Sequence, residues 1–153
     1  GPRAAAFFEV LRRAELVIVP TDPRAHDRLM ATLQTLVHGA VLAFGDVLCD
    51  ASLDIDALLA LASPPFRVMF ALLARMTRNH PDVYWEIQTQ NPYAREARHA
   101  LTAALARLEQ TCATHDVTAF RDTLARVDAL LVRPRPDTVD LSKRIFDLVG
   151  RSA

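Results

Sequence analysis

The sequence predicts an all-α protein, a helical bundle of about seven to eight helices with one short N-terminal strand. Three observations carry this. Met30, Leu33, Val37, Val41, Phe44 and Leu48 recur at three- and four-residue spacing, the period of one helix face. Polar residues followed by proline, which suit the N-cap and first helical positions, recur at Asp22-Pro23, Ser63-Pro64 and Asn91-Pro92. Only Glu15–Pro20, with its β-branched residues and closing proline, reads as a strand.

In order, Ala4–Ala14 reads as a short helix, and the strand follows it. One strand cannot satisfy its own backbone groups, so it needs a partner from another subunit or domain. Asp22-Pro23 opens a long helix reaching about Leu48, and a shorter one spans Ser52–Ala62. Ser63-Pro64 starts a helix to about Asn79 that is apolar nearly all round (Val68, Phe70, Leu72, Leu73, Met76), as in the middle of a bundle. His80-Pro81 breaks it, and Asp82–Gln90 forms the next helix. Asn91-Pro92 caps an alanine-rich helix reaching Cys112, whose small residues permit close approach. Asp116 caps a helix with Phe120, Leu124, Val127 and Leu131 on one face. Arg133–Pro136 is a stiff connector, and Asp137 starts the last helix.

The bulk numbers exclude several functions. The 153 residues suit one domain with its own core. Lys plus Arg and Asp plus Glu both total 18, so there is no basic excess for nucleic acid. No apolar run reaches the roughly 18 residues of a membrane span, and no signal-peptide core is present. Cys49 and Cys112 match no metal spacing and read as small core hydrophobes in a reducing, cytoplasmic compartment.

Among candidate chemistry, there is no glycine-rich nucleotide loop, P-loop, zinc-helix or nucleophile-elbow motif. The start of the Ser63 helix is the most pointed feature. Its free N–H groups and dipole favour an anion, and Arg67 in the first turn is disfavoured there unless an anion joins it. Helix start and guanidinium together suggest a carboxylate or phosphate cradle; the plainer alternative pairs Arg67 with an acid or leaves it in solvent. His26 and His38 share the long helix but lie about 18 Å apart along its axis, too far for one metal ion. Each has a plain reading as a core or solvent histidine. His80, His99 and His115 read as turn or surface residues. Asp54 and Asp56 fit a helix first turn, where acids favour the dipole. Tyr84-Trp85-Glu86 could floor a pocket or simply pack.

Taken together, Pro23-Arg-Ala-His-Asp-Arg-Leu-Met-Ala31, Gln34-Thr-Leu-Val-His38, Ser63-Pro-Pro-Phe-Arg67, His80-Pro-Asp-Val-Tyr-Trp-Glu-Ile-Gln88 and Asn91-Pro92 resemble the C-terminal helical domain of prephenate dehydrogenases. The pattern is a His-Asp pair, a second histidine twelve residues on, and Ser-Pro-x-aromatic-Arg ending twenty-nine residues later. The resemblance spans roughly residues 14–131. It implies a family that oxidises and decarboxylates prephenate or arogenate with NAD(P), on the route to tyrosine. It also implies a homodimer and a small dicarboxylate ligand, with Arg67 holding a carboxylate, His38 in the same pocket and His26 close by.

Residues 1–20 then resemble the last helix and strand of a nucleotide-binding domain, and 21–153 the dimerisation and substrate-binding domain. The family's Rossmann domain has no counterpart in the sequence, so no cofactor and no hydride transfer are expected of this chain alone. NAD(P) enters only with a separate Rossmann domain. Gly39 stands where the family usually has a large aromatic, which opens space beside His38. Three readings follow: part of a longer dehydrogenase, a free-standing cofactor-independent enzyme with Arg67 as anchor and His38 as acid or base, or a non-catalytic dimeric regulatory module.

Overall fold

A computed structural model describes residues 2–51, 53–132 and 135–150, and these form an all-α fold. The helices are α1 (Pro2–Arg13), α2 (Pro23–Met30), a π-helical segment (Ala31–Leu36), α3 (Val37–Asp50), α4 (Ile55–Ala60), α5 (Pro64–Thr77), α6 (Pro81–Thr89), α7 (Ala94–Ala113), α8 (Val117–Leu131) and α9 (Arg135–Gly150). The connector predicted at Arg133–Pro136 falls partly outside the described residues, and α9 already begins at Arg135.

Local chemistry explains most of the boundaries. Asp22 caps α2 by accepting from the backbone of Arg24 and Ala25, with Pro23 at the first helical position. Asp54 and Asp116 cap α4 and α8 in the same way. α7 ends in a Schellman turn: Asp116 N–H donates to Thr111 and His115 N–H to Cys112, with His115 left-handed at φ 54°. α1 ends likewise, with Glu15 at φ 57°.

α2, the π segment and α3 run on as one element from Pro23 to Asp50, and the core sits on its middle. The π segment packs against α6 and α7, and α3 packs against α5. Ala31, Thr35, Val41 and Ala94 are buried there. Phe44 of α3 meets Phe66 edge-on at 5.5 Å, and Phe66 stacks on Phe70 at 5.9 Å. Beyond this centre the molecule is open. α7 and α8 form a hairpin whose Leu105, Leu108, Phe120, Leu124 and Val127 lie in solvent, and α9 packs on α5.

Several expectations need correcting. Residues 15–20 form no strand; among the described residues none pairs with them, and Leu16, Val17 and Val19 are exposed. Without a partner edge the extended segment cannot form a ladder. α5 is not wrapped on all sides, since only Met76 is buried and Leu72 faces solvent. Cys49 and Cys112 are exposed thiols rather than core residues, because each sits on the outer face of its helix. The Pro23–Asp50 element is also long and apolar enough to cross a membrane by length and composition, which a count of unbroken apolar runs missed. Only 17% of that apolar stretch is buried, although Ala31, Thr35 and Val41 of the core lie on this element.

Candidate functional site

Arg67 lies in the first turn of α5, as the sequence placed it, but it is already engaged. Its Nη2 donates to Leu59 O at 2.9 Å and its Nε to Ala62 O at 3.3 Å. The guanidinium thus ties α5 to the end of α4, where Leu59 O also accepts from the Ala62 N–H. Ser63 has N-cap backbone geometry yet makes no side-chain cap bond. A guanidinium has five N–H donors, and the two used here fix its orientation.

His38, the second residue of α3, packs edge-on against Tyr84 of α6, with ring centroids 5.1 Å apart. Its Nδ1 is buried without a hydrogen-bond partner. Burial pushes its pKa below the ordinary value, so the ring is neutral near pH 7. His26 stays on the exposed face of α2, 3.3 Å from Asp27. The three residues therefore do not form one contact cluster. Phe44, six residues past His38 and about 9 Å further along the helix, touches Phe66 beside Arg67. His38 thus packs on α6 and Arg67 on the end of α4, while His26 lies about three turns before His38 on the long helix.

What sequence reasoning missed is a cleft of about 890 Å³ lined by residues of α3, α5, α6 and α7. Its walls include Gly39, Leu42, Met76, Tyr84 and Trp85, with Gln88 and Arg98 as polar members; neither His38 nor Arg67 lines it. Hydrogen bonds stitch this region to the π segment. Thr35, fully buried, donates to Ile87 O at 3.0 Å, and Gln88 Nε2 donates back to Thr35 O at 3.0 Å. Arg98 donates to Gln88 O, and Asn91 Nδ2 to Asp27 O at 2.7 Å. A π turn misaligns carbonyls that a regular helix would pair, and such turns gather at functional sites. Two signals were visible in the sequence, the Tyr84-Trp85 pair and Gly39, and all three residues line this cleft.

The fold is an all-α bundle built on one long helix, with much apolar surface uncovered. Residues 22–126 match the family model described as prephenate dehydrogenase, dimerization domain, and the chain belongs to that family. It is 38% identical over 146 residues to a 4-amino-4-deoxyprephenate dehydrogenase of Streptomyces pristinaespiralis, covering 95% of this chain and 49% of that protein. It is 32% identical over 83 residues to a probable arogenate/prephenate dehydrogenase of Methanocaldococcus jannaschii, covering 54% of this chain and 18% of that protein. A T-protein of Enterobacter agglomerans is 39% identical over 62 residues, 40% of this chain and 17% of that protein. The chain thus spans about half the length, or less, of these relatives. No solved structure matches it.

Proposed function

We propose that this chain is the dimerising and substrate-binding part of a cytoplasmic dehydrogenase acting on prephenate or an amino relative of it. The observation that carries the reading is the similarity to 4-amino-4-deoxyprephenate dehydrogenase along almost the whole chain. The site chemistry agrees with it. Arg67, held by two carbonyls, is a preorganised partner for a carboxylate. His38, kept neutral by burial, can accept or donate one hydrogen bond without adding charge beside that pair. His26 joins the ligand only if a second subunit or domain closes over α2.

We expect NAD(P) to be held by a separate nucleotide-binding domain, since the sequence carries no glycine-rich nucleotide loop. When a separate nucleotide-binding domain holds the cofactor, that domain supplies the hydride acceptor, and this one binds and orients the acid.

Calorimetry with prephenate and arogenate tests the reading. Wild type should bind one of them, and Arg67→Ala should weaken binding by about 2 kcal/mol or more, because a charge-assisted contact is lost. Unchanged affinity would remove Arg67 from the site. Mass spectrometry after incubation without cofactor should show the acid unaltered. Conversion would instead support a cofactor-independent enzyme using His38 as acid or base.

A further inference from the structure

His38 meets α6, although a regular helix would not aim it there. A π turn holds one residue more than an α turn, so whatever follows it is rotated by about 100° from the course of an unbroken helix. The π segment Ala31–Leu36 ends two residues before His38. The helix before it is fixed in its own phase, because Asn91 Nδ2 donates to Asp27 O at 2.7 Å. Continued from α2 as a plain α-helix, the imidazole would swing away from Tyr84, whose ring centroid lies 5.1 Å from its own.

A clamp from α6 keeps the π turn in place. Thr35 lies inside the π segment, fully buried, and among the described residues it is the one buried polar side chain. A hydroxyl in an apolar layer costs stability unless it is bonded. Its Oγ1 donates to Ile87 O at 3.0 Å, and Gln88 Nε2 donates back to Thr35 O at 3.0 Å. Gln88 Oε1 stays buried and unpaired in this pose, so the amide forgoes one bond to make the other. Arg98 donates to Gln88 O and ties the end of α6 to α7. Ile87 and Gln88 lie three and four residues past Tyr84, so the groups that grip the π segment and the ring that meets His38 share one face of α6.

We infer that Thr35 and Gln88 are positioning residues for His38: their paired bonds hold the π turn, and the π turn aims the imidazole at Tyr84. This deepens the reading of His38 as a ligand-facing group, and it rests on that reading for its effect on binding alone. The rival arrangement is that α3 takes its phase from α5, through Phe44 on Phe66 and Leu73 over Gly45.

NMR of the histidine side chains in the full chain, free of ligand, separates the two. Loss of a signal in His38→Gln assigns His38, and Tyr84→Leu measures the ring-current shift that Tyr84 imposes on it. Thr35→Val and Gln88→Leu should each remove more than half of that shift, with helix content near that of wild type. Thr35→Ser, which keeps the hydroxyl, should retain it. Gln88→Leu carries the test if Thr35→Val fails to fold. A full shift in the folded Thr35→Val and Gln88→Leu proteins would overturn the inference and leave α5 as what aims the ring. So would a His38 signal that Tyr84→Leu does not move. Calorimetry with prephenate adds the binding consequence: His38→Gln and Thr35→Val should weaken affinity by the same factor, and the double variant no further. Losses that add in full would overturn the positioning role. Wild type that binds no prephenate would remove the substrate-binding reading and leave the ring-shift result to stand by itself.

Discussion

His38 is the residue whose surroundings most shape its chemistry. Its lowered pKa means that the folded chain holds the neutral ring, while the unfolded chain protonates near 6.5. Below about that pH the unfolded state binds more protons, so stability from this source is complete above it and is lost as pH falls toward the folded value. Urea unfolding at pH 7.5 and pH 5.5 should therefore show a loss in wild type that shrinks in His38→Gln. An equal loss in both would place the acid sensitivity elsewhere. The glycines of the long helix make a second residue-scale prediction. At Gly39 a Cβ meets only ordinary contacts, so Gly39→Ala should stabilise by roughly 0.5–1 kcal/mol through helix propensity. At Gly45 a Cβ would stand 2.6 Å from one Leu73 methyl carbon and 2.8 Å from the other, so Gly45→Ala should instead destabilise by about 1 kcal/mol. Thermal melts of the pair check the opposite signs. Neither sign was legible in the sequence, because a glycine inside a helix does not say what packs over it. The first-turn position of Arg67 and the mid-helix position of His38 were legible, since caps and apolar period place both. Gln88 and Arg98 were not, because their roles depend on which residues the π turn brings beside them.

At the scale of elements, caps and prolines placed nearly every helix to within a few residues, because they act through neighbouring backbone. The π segment escaped. It leaves the apolar period almost intact, and it is fixed by Thr35 and Gln88 bonding across 53 residues of sequence. Thr35→Val should test that stitching, costing about 1–2 kcal/mol because the Ile87 carbonyl loses its donor. The strand failed for a related reason: β propensity in Glu15–Pro20 is real, but pairing needs an edge that the described residues do not provide. The turn after α7 offers a cleaner element-scale test. His115 is left-handed without being glycine, so His115→Gly should relieve about 1 kcal/mol of strain and raise the melting temperature. A lower melting temperature would mean the ring makes a contact worth more than the strain.

For the molecule as a whole, surface is the governing quantity. A compact monomer of 17.0 kDa should expose about 7,700 Å², whereas this chain exposes 12,365 Å². The excess is concentrated where apolar side chains are bare: the α7–α8 hairpin, the outer face of the long helix, and α1 with the segment after it. Sequence periodicity had marked Phe120, Leu124 and Val127 as one face, but it could not say that the face lies in solvent rather than against the rest of this chain. A two-fold pairing that buries the hairpin satisfies both the surface excess and the description of the family model. Leu124→Glu should accordingly weaken association while leaving helix content near that of wild type. The most direct measurement of the central claim is the mass of the whole chain in solution by sedimentation equilibrium at micromolar concentration. The account predicts twice 17.0 kDa for wild type, and a stably folded species at 17.0 kDa would contradict it.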